Sequence, residues 1–430
     1  LMRMKNHFSK MGMALLNAAL LSTVGFTSCA DDKFHLKDYE ESTPSFLGQS
    51  IYHELQTRGN YTTVVRLIDD LEYAEVLSKT GSKTLFVAND SAYAEFFKNN
   101  PWGVTSYDDL SKNQKRVLLN SSMLNNAYVL EMLANIEGGG KNLCLRQGTS
   151  ATASDSVTRW AVTELPATQS AVDMDWFKAL REKGDSVYMA LDATDPMMSH
   201  FLEGQMKMKS ITFADVEKIM GQPYFLDGKS SFGFINDCRI IDGDIVCLNG
   251  YIHLLDKVLL PPGNMAEMIR SNGQTNLFSA MLDRFAAPYY NEQLTRQYKA
   301  LNDIPADSIY EKRYISNRSQ GGGKIAKRPD ELNFGGDQQF LPFDPGWNQY
   351  AVSSSTSKEQ DMAAMFVPSD EAMINYFVKG GGVDLIQRYG TLPNTEENLL
   401  TNLYQIPLHL IQPLIQNLMK DSFNESVPSK

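Results

Sequence analysis

The chain has 430 residues, enough for two or three domains, and its 43% hydrophobic and 21% charged content is that of a globular protein rather than a disordered or fibrous one. A net charge of −11 argues against nucleic acid as a partner, because a phosphate backbone needs a basic face. Past the N-terminus no apolar run reaches the roughly 18 residues that a spanning helix needs.

The first residues read as an export signal. Arg3, Lys5 and Lys10 give a positive start, Met11 to Val24 an apolar segment too short to cross a bilayer, and "FTS" leads into Cys29. This resembles a bacterial lipoprotein signal, in which cleavage leaves the cysteine first and lipidated. The alternative is an ordinary secretion signal with a chance cysteine, but the A-x-A-like site that such a signal usually carries is absent. Residues 1–28 are therefore expected to be a signal peptide, Cys29 the lipidation site and residues 29–45 an acidic, flexible tether. Asp31-Asp32 resembles the signal that sends lipoproteins of Bacteroides-type bacteria to the outer face, a solvated linker being the alternative.

An amphipathic helix follows in "YTTVVRLIDDLEYAEVL", from Tyr61, and then "TLFVANDSAYAEFF", Thr84 to Phe97. The second stretch is a strand that breaks at Asn-Asp-Ser, where a side-chain oxygen can cap a helix carrying Tyr93, Phe96 and Phe97 on one face. The same succession recurs far downstream: the helix "TNLFSAMLDRFAAPYY", then "AAMFVPSDEAMINYF", Ala363 to Phe377. A period near 280 residues is too long for a solenoid and reads as two copies of one domain.

Between them lies "FINDCRIIDGDIVCLNGYIHLLDKVLLPP", Phe234 to Pro262. Asp242-Gly243 between β-rich runs predicts a two-residue hairpin turn, which sets Cys238 opposite Cys247 at a non-hydrogen-bonded pair. That spacing suits a disulfide in an exported protein; two reduced cysteines packed beside Ile240 and Ile245 are the alternative. Cys144 is read as a buried thiol.

"TLFVANDSAYAEFF" resembles the first signature segment of fasciclin domains, and "NGYIHLLDKVLLPP" is similar to the second. The resemblance implies an α+β fold, a wedge-like β-sandwich flanked by helices with the two signature strands adjacent in the core. It implies adhesion or protein binding at the cell surface rather than catalysis. Domain 1 is placed at 46–262, with an insertion of about 138–233. Domain 2 is placed at 263–430, with an insertion of about 288–360 and no second signature strand, so a fragment lacking its C-terminal end is expected. The stretch "VLLNSSMLNNAY" departs from the family, because the Tyr-His pair linked with adhesion in many members has no histidine here.

His253 sits inside an apolar strand, and its expected role is a core hydrogen bond to Asn89 or Asp90 rather than catalysis. The six histidines are scattered, without the H-x-x-x-H or C-x-x-C spacing of a zinc site, so no metal or cofactor is expected. "GGGKN" and "GGGKI" lack the Ser or Thr of a phosphate loop, and G-x-S-x-G is absent. Trp102, Trp347 and Tyr350 lie among turn-forming residues, where rings stack on sugars, anchor a protein, or cover their own domain. Trp160 and Trp176 carry the same alternatives.

The function expected is a non-enzymatic, lipid-anchored protein of the outer membrane, exposed at the surface and binding another protein. Family context adds an accessory role beside an outer-membrane nutrient importer. The alternative is a surface glycan-binding protein that uses the loop aromatics.

Overall fold

A computed structural model describes residues 48–420, apart from 80, 135–145, 171–172, 174, 185, 191–196, 203–205, 208–209, 221–232, 303–307, 317–323, 326–340, 347–350, 353–357 and 361–363. Cys29, Cys144, Trp347 and Tyr350 lie outside the described residues, as do the expected signal and tether.

In chain order the strands are β1 (Lys83–Ala88), β2 (Met123–Leu124), β3 (Arg146–Gly148), β4 (Val157–Ala161), β5 (Ser186–Ala190), β6 (Met197–Leu202), β7 (Gly233–Ile235), β8 (Cys238–Cys247) and β9 (Gly250–Leu255). They continue with β10 (Ala286–Tyr290), β11 (Ile309–Tyr314), β12 (Lys324–Ile325), β13 (Ala351–Val352), β14 (Lys358–Gln360), β15 (Ala364–Met365) and β16 (Met419–Lys420). Among the described residues these form a sheet ordered β13-β14-β3-β6-β7-β8-β9-β1-β2, a second ordered β12-β10-β11-β5-β4, and the pair β15-β16. With helices packed against them the fold is α+β.

Local sequence explains the first half. Helix α1 (Ile51–Arg58) is capped by the Ser50 hydroxyl and closed by Gly59 in the left-handed region. Helix α2 (Thr62–Asp70) buries Val64, Leu67 and Ile68, the stripe that helical spacing predicts. Chain direction changes at Asn89, whose side chain accepts from Ala92 N–H to start α3 (Asp90–Lys98). Helix α4 (Lys112–Asn120) opens with a reciprocal Ser111 and Gln114 capping box and leads into β2.

Strands β1 and β9 run parallel, with Phe86 opposite His253 and Leu85 opposite Ile252. Successive side chains of β1 therefore serve two cores. Leu85 and Val87 join Ile51, Leu67 and Tyr93 on the helical side, while Phe86 joins Leu124, Leu130, Leu255 and Leu259 on the other. Gly250 begins β9 at φ 148, and a Cβ there would sit 1.8 Å from the Lys83 carbonyl oxygen, so only glycine allows the two strands to meet at this point.

The expected hairpin at Asp242-Gly243 does not form. Both residues stay inside β8, where register shifts between 240 and 245 mark bulges and Asp244 takes the left-handed conformation at φ 57. The turn falls instead at Leu248-Asn249, with Cys247 opposite Gly250. Cys238 and Cys247 thus occupy the two ends of one strand, roughly 30 Å apart at about 3.3 Å per residue, beyond any disulfide. A long bulged strand absorbs the Asp-Gly pair that would otherwise make a turn.

The two stretches read as insertions are paired with each other. From the first, β5 runs parallel to β11 of the second with Ile309 opposite Tyr188, and β3 pairs antiparallel with β14. Trp176, Phe177 and Leu180 pack in one core with Phe278, Phe285 and Ile411 from the second half. Arg284, buried there, forms an ion pair with Asp173 and donates to the Leu403 and Ile406 carbonyls.

Later in the chain, α5 (Met265–Ser271) and α6 (Asn276–Asp283) precede β15, α7 (Asp370–Ile374) follows it, and α8 (Leu408–Gln416) leads into β16. Here the contacts of the first half recur. Leu85 pairs with Met123, and Met365 with Met419; Phe86 N–H donates to the Ser122 carbonyl at 2.9 Å, and Phe366 N–H to the Leu418 carbonyl at 2.8 Å. Asp90 N–H donates to the Asn60 carbonyl, and Asp370 N–H to that of Gln274.

Candidate functional site

Asp90 and Asp370, the acids of the two strand-to-helix turns, are structural caps. Asp90 accepts from the Thr62 and Thr63 N–H groups at 3.0 and 2.8 Å, closing the N-terminus of α2, while Asp370 accepts from Leu277 N–H at 2.7 Å on α6. Partial burial works against the Asp90 carboxylate, but the Thr63 and Thr62 donors outweigh it and hold its pKa below the usual range.

His253 is fully buried and makes its core bonds to other partners than Asn89 or Asp90. Its Nδ1 accepts from Asp244 N–H at 3.1 Å, and its Nε2 lies 3.0 Å from the Tyr128 carbonyl, so that nitrogen carries the proton. The imidazole ring packs on Phe86 at a centroid distance of 4.9 Å. Burial lowers its pKa, only partly offset by the Tyr128 carbonyl and the Asp244 charge. A neutral ring with both nitrogens occupied by backbone has no lone pair or proton left for substrate. Asn89 and Asp90 are one and two residues past the strand, where cap geometry claims their oxygens first; the bulge that presents Asp244 N–H leaves no mark in the sequence.

Cys238 and Cys247 are free thiols in separate cores. Burial pushes Cys247 up to about 12 and raises Cys238 well above the normal thiol value, so both stay protonated and unreactive at neutral pH. Trp102 packs edge-on against Phe96 at 5.8 Å and covers its own core. Trp176 is buried, and Trp160 leans on the same core while its indole N–H donates to Thr158. No described helix is long and apolar enough to cross a membrane, and among the described residues no three His, Cys, Asp or Glu gather as metal ligands.

Two features escaped the sequence. Strand β11 reads "IYEKRY" yet every residue is buried, with Lys312 against Asp283 at 3.2 Å and Arg313 against Asp344 at 3.3 Å. Burial raises Asp344 to about 6 despite the Arg313 charge. The second is Phe366, 62% exposed where its counterpart Phe86 is 1% exposed.

Domains of the fasciclin family are associated with cell adhesion and protein binding. The family match starts inside the stretch read as the first insertion and ends at Leu260-Pro261, without reaching Thr84 to Phe97. No curated protein matches the chain. Residues 177–261 contain a Fasciclin domain.

Proposed function

We propose that this chain is a non-enzymatic, lipid-anchored protein of the bacterial outer surface, with two fasciclin-like halves, and that it binds another protein. The observation that carries the reading is the use made of the signature residues. His253, Asn89, Asp90 and Asp370 are all spent on core bonds and helix caps, which leaves recognition to the exterior of a rigid scaffold. Support for the two halves comes from the recurring pairings of Leu85 with Met123 and Met365 with Met419. Anchoring rests on the sequence around Cys29, and a role beside an outer-membrane nutrient importer is the partner class proposed.

The test is affinity capture of the full chain from detergent-solubilised outer membranes, run beside retardation gels containing polysaccharides. A membrane protein that co-purifies stoichiometrically is the expected result. Retardation by a polysaccharide, with no co-purifying protein, overturns protein binding in favour of glycan binding.

A further inference from the structure

Helix α4 uses its two faces differently. Leu118 and Leu119 join the core of the first half. Asn113, Arg116 and Asn120, spaced three and four residues apart and so on one stripe, turn to the stretches read as insertions. Asn113 Nδ2 donates to the Val157 carbonyl at 2.6 Å and lies 3.4 Å from the Tyr298 hydroxyl. Arg116 is buried, and its guanidinium donates to the Leu301 carbonyl at 2.6 Å and to Asn302 Oδ1 at 2.8 Å. Both acceptors sit at the C-terminal end of the helix Glu292–Asn302, where the backbone favours a cation. Asn120 Nδ2 donates to the buried Asp155 carboxylate at 3.1 Å.

The sheet β12-β10-β11-β5-β4 is held elsewhere by apolar contact. Val187 and Met189 of β5 share a core with Phe278 and Ile411 of the second half, and Leu294 and Tyr298 pack with Val157, Ala190 and Ile309. Among the described residues no buried apolar cluster joins α4 to this sheet. Asn120 Oδ1, buried in the contact, meets no donor among the described residues, so the closed form leaves an acceptor that opening hands to water. A seam of hydrogen bonds that water can replace opens at lower cost than the packed cores on either side.

We propose that the Asn113-Arg116-Asn120 stripe is a releasable clamp: α4 lets go of the sheet while the cores on both sides stay packed, so the first half shifts against the sheet without unfolding. The device does not depend on what the protein binds.

Thiol labelling of the full chain tests it. Ser154, buried in the turn Ala153–Ser156 beside Asp155, is replaced by the near-isosteric cysteine, Ser154→Cys, as the reporter. Cys238 and Cys247, each in a core, report global unfolding. Iodoacetamide labelling is followed peptide by peptide over a urea series, with each rate normalised to that in the unfolded chain. The thiol at position 154 should react at least about tenfold faster than Cys238 and Cys247 without urea, and with a shallower urea dependence. Adding Arg116→Met should raise its rate about tenfold or more, and Asn302→Ala, the milder change, several-fold. Three thiols that react at one normalised rate with one urea slope overturn the proposal. So does a position-154 rate that Asn302→Ala leaves unchanged, and that variant carries the test by itself if Arg116→Met does not fold.

Discussion

Replacing His253 by alanine tests the core most sharply. The side chain is fully buried, bonded to the Asp244 N–H and the Tyr128 carbonyl, and stacked on Phe86. Alanine strands two buried backbone groups, at about 1–3 kcal/mol each, and opens a void beside Phe86. Water entering the void recovers part of this, so the expected loss is about 3–5 kcal/mol. Urea unfolding followed by circular dichroism reads it: with a slope near 3 kcal/mol per molar, the midpoint falls by about 1 M or more. His253→Phe restores the volume but not the bonds and should fall between. Acid adds a signed check. Because burial holds the folded-state pKa below its unfolded value, the unfolded chain takes the proton first, and this contribution to stability is lost as pH falls below about 6.5. His253→Phe lacks that loss, so its gap to the wild type should narrow on acidification. A midpoint shift under about 0.3 M in both variants, with a gap that does not change with pH, would refute the assignment.

Asp90→Ala and Asp370→Ala should each cost about 1–2 kcal/mol in the same assay, since each removes the carboxylate that closes a helix N-terminus; Asn should recover part of the loss. Asp344, raised to about 6 by burial, takes a proton in the folded state before the unfolded state does. It should therefore add stability as pH falls from 6 toward 4, by about 3 kcal/mol at most, and that rise should vanish in Asp344→Asn. Ellman's reagent should leave Cys238 and Cys247 unmodified in the folded chain and label both in urea, without reductant; labelling that requires reductant would contradict the free thiols. Phe366→Lys should shift the urea midpoint by less than the equivalent of about 0.5 kcal/mol, because the ring is mostly in solvent.

The parts of the fold legible in the sequence were those that depend on local chemistry. The apolar stripe of Val64, Leu67 and Ile68, the Asn89 cap and the strand before it all follow from helical period and cap preference, and they are found where the pattern puts them. The bulge in β8 is not legible locally, because Asp-Gly suits both a two-residue turn and a bulge, and only the partner strand decides between them. His253 was legible as a buried, bonded histidine but not its partners, since these come from residues 9 and 125 positions away. The pairing of β5 with β11, and the burial of Lys312 and Arg313, left no periodic trace: charges enter a core only when distant carboxylates meet them, and Asp283 and Asp344 are supplied by other elements.

The proposed lipid anchor at Cys29 is open to direct measurement. Intact cells carrying the full-length protein with an epitope tag can be labelled by antibody and shaved with protease, beside the same strain carrying Cys29→Ser. A labelled, protease-sensitive protein is expected in the outer-membrane fraction, released from the membrane when the sulfur is replaced. Protein protected in intact cells, or a Cys29→Ser form that stays in the membrane, would contradict that expectation.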